Sequence, residues 1–243
     1  MLRATAISLC CFFQMAVLMF RTGPMVKRIR QQTSVVLSRR LHFPDDEKRI
    51  TWLPALLDAY AVADTGVAIA LRDAEKQHKK ALACGRGCDV CCRQKDIPLY
   101  PHELVGIYWF ASEKMSARER DIIKQQLAGH KAGSPCPFLL EHACVVHPVR
   151  PVSCRQFNVF TTPCAPGEDP YYTRRHDVLV PLSEYTDRAF AAVLAFYHLD
   201  KDKDVAKAIK LVRGQIMNLL EYDWKKLVKV MDEAKADRTA TAS

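Results

Sequence analysis

The stretch Cys84-Gly85-Arg86-Gly87-Cys88-Asp89-Val90-Cys91-Cys92 packs four thiols into nine residues, and four more follow at Cys136, Cys144, Cys154 and Cys164. Thiolates are soft, easily oxidised ligands, so a chain that keeps this many together uses them to coordinate a soft metal or to cross-link itself. The spacings favour metal. An adjacent pair and a two-residue gap suit ligation, and a chain of 243 residues can bury a core without disulfide staples. The even total of ten cysteines keeps disulfides as the alternative. Eight thiolates would serve two four-coordinate zinc sites, or one four-iron cluster with four cysteines left over.

The second half of the cysteine set is embedded in specific wording: Cys136-Pro137-Phe138-Leu139, Cys144-Val145-Val146-His147, then Arg150-Pro151-Val152-Ser153-Cys154-Arg155-Gln156-Phe157, and finally Cys164. Four thiolates on a divalent ion leave net negative charge, which Arg150 and Arg155 would offset by hydrogen bonding to sulfur. Ordinary salt bridges to acids such as Glu141 or Asp177 are the equal alternative. His142 and His147 are expected to be surface or hydrogen-bonded groups, because the cysteines already fill the coordination count. Cys91 and Cys92, as neighbours, are expected to face different sites, or one of them to serve a redox or structural purpose.

Together with a helix expected over Pro101 to Glu113, this arrangement resembles the CxxCxxCC family, also called YkgJ-type cysteine-cluster proteins, a zinc- or iron-chelating domain. The resemblance covers about Leu82 to Tyr172. It implies that Cys84, Cys88, Cys91, Cys92, Cys136, Cys144, Cys154 and Cys164 are metal ligands. The Arg-Pro-x-x-Cys-Arg element of that family matches at Arg150, Pro151, Cys154 and Arg155. The chain departs from the pattern in its first gap, three residues where the family name implies two, and in His147, where tyrosine is common. The spacing from Cys84 to Cys91 also equals that with which radical S-adenosylmethionine enzymes hold a four-iron cluster, although the strand-helix repeats of their barrel are missing. A catalytic alternative follows from similarity in the cluster region to flagellin lysine methylases, which would make the chain an S-adenosylmethionine-dependent protein lysine methyltransferase.

The elements that must position these thiols are helices. Residues 51 to 83 read as one long helix, with Thr51 as N-cap and Leu56, Tyr60, Ala63, Val67 and Leu71 along one face, stopped by Gly85 and Gly87. Ile97 to Tyr100 reads as extended, Pro101 to Glu113 as a helix, and Ser116 with Glu119 as the capping box of another that fades at Gly129. From Lys131 to Tyr172 the chain reads as loop with at most a strand at Cys144 to His147. Pro181 to Leu199 reads as a helix, and the stripe Val205, Ile209, Val212, Ile216, Leu219 and Leu227 as a core-facing helix to about Val230.

The expected fold is mainly α, a helical domain over residues 51–235 in which two cysteine-rich loops meet at a metal site, with the motif core at 82–172. Residues 1–50 are expected to form a leader and basic arm, and residues 236–243 a disordered tail. Residues 1–24 could be a signal, a membrane anchor or a stretch upstream of a start at Met25; the thiols favour the cytoplasm. The net charge of +9 is spread along helices, apart from the acid-free run Met25 to Arg40, so no nucleic-acid partner and no integral membrane role are expected. With nine glycines and no glycine-rich strand-to-helix turn, phosphate-cradling and dinucleotide-binding loops are excluded. The expected partners are a metal ion and, through the helical surface, another protein.

Overall fold

The computed structural model describes residues 40–241, with α-helices α1 (Pro44–Arg49), α2 (Leu53–His78), α3 (Pro101–Glu113), α4 (Ala117–Gly129), α5 (Val152–Gln156), α6 (Pro170–Thr173), α7 (Ser183–Ala192), α8 (Val205–Arg213) and α9 (Lys225–Thr241). Two antiparallel pairs complete it: β1 (Pro98–Leu99) with β4 (Met217–Asn218), and β2 (Leu139–Leu140) with β3 (Ala143–Cys144). The fold is mainly helical, as its sequence implies. The leader and most of the basic arm lie outside the described residues.

The core follows from the apolar face of α2. Leu53, Leu56, Leu57, Tyr60 and Ala63 share one buried cluster with Ile107 and Ala111 of α3, Ile123 and Leu127 of α4, and Leu227 and Met231 of α9. By length and composition α2 would also suit a membrane span, yet half of its most apolar window is buried within this fold. A second cluster joins α7 to α8 through Phe190, Leu194, Ile209 and Val212. Residues 40–50, the end of the expected basic arm, are anchored to the helical domain: Arg40 pairs with Glu47 at 2.7 Å and Asp58 at 2.5 Å, and Phe43 stacks edge-on against Trp109.

Local chemistry explains where helix boundaries fall. The capping box at Ser116 and Glu119 is present, and α3 spans Pro101–Glu113. Thr51 is not a cap: α2 starts at Leu53 with Pro54 in its first turn, where a fixed φ and a missing N–H suit a helix start. It also ends earlier than expected, at Lys79 in the left-handed conformation, because residues 81–83 leave the helix to pair with 159–161. The expected strand at Cys144 to His147 shortens to β3, since Pro148 begins a 3-10 turn at His147–Val149. The expected helix over Pro181 to Leu199 ends at Ala192 and continues as a 3-10 turn, Leu194–Tyr197. The long apolar stripe is two helices: α8 stops before Gly214, β4 intervenes, and Ile216 is exposed. At the C-terminus α9 runs to Thr241, so residues 236–241 are helical rather than a disordered tail.

The closest approach of α2 to α7 requires a glycine. A Cβ at Gly66 would lie 2.5 Å from the Cβ of Tyr185, which no rotamer change relieves. Gly66→Ala should therefore lower stability by about 1–3 kcal/mol, although alanine is the better helix former by about 1 kcal/mol. Urea unfolding measures it, and an unchanged or raised midpoint would contradict this packing.

Candidate metal centre

The knuckle and the second loop are stitched together by backbone. Leu82 bridges Phe160, Ala83 N–H donates to Val159 O at 2.8 Å, and Thr161 N–H donates to Ala81 O at 2.8 Å. Further along, Cys136 N–H donates to Cys92 O at 2.8 Å. Asp89 ties the same two loops by side chain, accepting from Arg93 at 2.7 Å and pairing with His142 Nδ1 at 2.9 Å. The cysteines that are distant in sequence are thus neighbours in space.

Each thiol has a defined mount. Cys84 follows the paired segment 81–83, and its sulfur accepts from Val159 N–H at 3.2 Å. Cys88 is exposed after the turn at Gly87, whose φ of +85° favours glycine. Cys91 and Cys92 sit on a 3-10 turn, Val90–Arg93. Cys136 is buried before β2, Cys144 lies on β3 opposite Leu139, Cys154 is on α5, and Cys164 is on the loop before α6. The reversal between β2 and β3 passes through Glu141 and His142, both at positive φ, the conformation of a tight two-residue hairpin turn.

Six of the thiols are shifted, all in the same direction. A hydrogen bond with Cys92, burial and the negative charge of Cys92 push the Cys91 thiol up. Burial, with Cys144 and Cys154 adding to it, does the same at Cys136. Cys154 is raised to about 12 by burial and by Cys91 and Cys144. Burial raises Cys144, and burial with Cys88 and Cys91 raises Cys84. Cys164 is raised to about 11 by burial, Cys84 and Cys88. A reactive cysteine needs the opposite shift, toward thiolate at neutral pH. These thiols are free, none being in a disulfide among the described residues.

Arg150 and Arg155 differ in what they touch. Arg155 is 4% exposed; it pairs with Asp64 at 2.6 Å, donates to Pro148 O at 2.6 Å and Arg150 O at 2.9 Å, and stacks over Tyr60 at 4.0 Å. Its acid is Asp64, neither Glu141 nor Asp177. Arg150 stands beside Cys91 and Cys144, opposing the rise in both, and bonds His147 Nε2. Its buried Nε has no hydrogen-bond partner among the described residues. His142 and His147 are hydrogen-bonded, as expected.

Residues 83–177 match the CxxCxxCC family model, described as "Putative zinc- or iron-chelating domain". No curated protein and no solved structure matches the chain. The CxxCxxCC match runs through all eight cysteines of the two loops. The donor set fits the group named: sulfur-rich, uncrosslinked, each shifted thiol penalised as a thiolate, with a buried guanidinium N–H left over for a charged sulfur. Among the described residues, no three cysteine, histidine or carboxylate groups already converge as a closed metal shell, so ligation requires side-chain rotation.

Three supporting residues escape motif reading. Asp64 is a lone acid in an apolar helix face, Arg174 lies beside Cys164 and is held by Glu168 at 2.7 Å, and Glu103 is fully buried. Glu103 accepts from Tyr100 N–H at 3.0 Å and Val152 N–H at 2.6 Å, so one carboxyl caps both α3 and the helix carrying Cys154. Its spacing after Tyr100 and Pro101 was the readable signal.

Burial raises Glu103 to about 7. A folded value above the unfolded one means its contribution to stability is complete below the unfolded value, about 4.5, and is lost as pH rises through about 7. His102, lowered to about 3 by burial, acts in the opposite sense below 6.5. The difference between the wild type and Glu103→Gln, measured by urea unfolding from pH 4.5 to 8, should therefore grow less favourable to the wild type as pH rises. A pH-independent difference would rule out the raised value.

Proposed function

We propose that this chain is a metal-chelating protein that holds zinc or iron through Cys84, Cys88, Cys91, Cys92, Cys136, Cys144, Cys154 and Cys164. The observation that carries the reading is the backbone pairing of two sequence-distant cysteine-bearing loops, which brings eight free thiols into one region with no disulfide among them, where burial penalises the thiolate forms of Cys136, Cys154 and Cys164. Neutral thiols gain nothing from such crowding. A bound cation reverses the penalty, because it favours the deprotonated form of every ligand.

When bound, the ion or cluster supplies positive charge that cross-links the loops, and in the iron–sulfur case a redox couple. The chain's own residues prepare for it. Gly87 lets the knuckle turn, the hairpin presents Cys144, and Glu103 with Arg155 fixes α5 and hence Cys154. Arg150 compensates excess thiolate charge, and Arg155 acts on the scaffold. A reducing, cytoplasmic compartment belongs to this reading, supported by the free thiols. Presentation or delivery of metal to a protein partner is the role it proposes. No observation favours the methyltransferase alternative; the sheets described are two-stranded pairs.

The test is metal and acid-labile sulfide analysis, with an absorption spectrum, on the full chain purified without oxygen. Bound zinc of about two ions, or iron with sulfide near four, is expected per chain. Zinc added to the apo-protein in weak buffer should release about four protons per four-thiolate ion, with affinity falling toward acid pH because the thiols start protonated. Cys154→Ser should cut metal content and soluble yield. Metal-free protein with thiols alkylated equally in the presence and absence of zinc and iron would sink the proposal.

A further inference from the structure

The β2–β3 hairpin that carries Cys144 is held unevenly. Its base is fixed: Phe138 and Val146 are buried in the core, Gln126 of α4 donates to Pro137 O at 3.1 Å and Leu139 O at 3.0 Å, and Cys136 N–H donates to Cys92 O at 2.8 Å. Its tip stands in solvent. Glu141, His142 and Ala143 are exposed, and Glu141 and His142 adopt φ of +48° and +61°, a conformation that residues with a side chain adopt at a cost. Among the described residues, one side-chain hydrogen bond leaves this tip: His142 Nδ1–H donates to Asp89 Oδ2 at 2.9 Å. An ionised carboxylate only accepts, so the imidazole is the donor.

Asp89 is built into the knuckle on the other side of that bond. It precedes the 3-10 turn Val90–Arg93, its carbonyl receives Cys92 N–H at 3.0 Å, and Arg93 Nη2 and Nε donate to the same Oδ2 at 2.7 Å and 3.2 Å. Its side chain is 12% exposed, although that of His142 is 70% exposed. Arg93 aims the carboxylate within the knuckle, and His142 is the partner that crosses to the second loop. The residue that sets Cys92 by its backbone thus holds the hairpin by its side chain, and Cys144 follows two residues after the point of attachment.

Resting on the metal-chelating reading above, we propose that Asp89 and His142 form a latch that positions the Cys144 hairpin against the Cys91–Cys92 turn and so governs how fast bound metal is released. Neither residue is a ligand; both are positioning residues. With the latch closed, thiols from the two loops keep a fixed separation. With it broken, the tip swings from the knuckle while the base stays seated, and Cys144 loses its place relative to the turn. Groups that orient metal ligands without touching the ion change metal affinity by about 10–100-fold when they are removed.

The experiment uses the full chain with its bound metal, challenged with 4-(2-pyridylazo)resorcinol for zinc or bathophenanthroline disulfonate for iron. Asp89→Ala, and His142→Gly, whose glycine suits the positive φ, should bind the wild-type amount of metal and release it on the order of tenfold faster. Asp89→Asn and His142→Gln, which keep an acceptor and a donor, should restore part of the slow release. Because the two residues act through one bond, the double variant should release no faster than the faster single one. In metal-free protein the same variants should speed alkylation of Cys144 relative to Cys136, read by mass spectrometry, and leave the urea midpoint nearly unchanged, since the pair lies at the surface. Wild-type release rates in Asp89→Ala and His142→Gly, or effects that multiply in the double variant, overturn the latch while leaving chelation standing. Outright loss of a bound ion in either variant would make that residue a ligand and overturn its positioning role. A wild type that holds neither zinc nor iron overturns the chelation reading, and with it the control of release.

Discussion

The guanidinium of Arg155 is the charge on which the cysteine-bearing half depends. At 4% exposure it cannot remain charged inside the fold without full compensation, because burying an unpaired charge costs several kcal/mol. Asp64, the Tyr60 ring and the carbonyls of Pro148 and Arg150 supply that compensation, from α2 on one side and the 147–150 turn on the other. None of these groups can move alone. A five-residue helix such as α5 is unstable in isolation, so its place is set by this cation and by Glu103 at its N-terminus. Opposite charges grip the same short element, and Cys154 sits between them.

That rigidity gives the thiol electrostatics their meaning. Cys136, Cys144 and Cys154 are mounted on a closed turn, a hairpin and a clamped helix, so their backbones hold position while only the side chains rotate. Burial raises all three thiols, and neighbouring sulfur adds to the rise. Arg150 opposes the rise at Cys91 and Cys144, and Arg174 at Cys164. A single guanidinium cannot neutralise several thiolates, which is why the arrangement favours a multivalent cation.

What was legible in the sequence depended on the range of the deciding interaction. The capping box at Ser116 and Glu119 and the extent of α3 are local, and local chemistry announces them. The cysteine motif was legible because ligand chemistry restricts both residue type and spacing. The stripe from Val205 to Leu227 misled because apolar periodicity is blind to a break: β4 pairs with β1, more than a hundred residues away, and that pairing interrupts the helix. Asp64 could not be assigned to Arg155 for the same reason. In an apolar stretch of α2 it reads as an odd residue until α5 arrives beside it.

The extra residue in the first cysteine gap illustrates how this chain can depart from a metal-binding pattern without losing it. Gly85 to Cys88 form an exposed turn, with Cys88 N–H on Gly85 O at 3.1 Å and Gly87 at positive φ. Such a turn absorbs an added residue by bulging into solvent, because no side chain packs above it; a Cβ at Gly85 or Gly87 would meet nothing within 4 Å. Only one turn later the constraint reverses. Cys92 N–H is held by Asp89 O at 3.0 Å while Cys92 O receives Cys136 N–H, so Cys91 and Cys92 are locked to the second loop. An insertion there would shift Cys91 and Cys92 relative to Cys136. The spacing is therefore relaxed at the exposed turn before Cys88 and strict at Cys91 and Cys92, where the backbone is tied to the second loop.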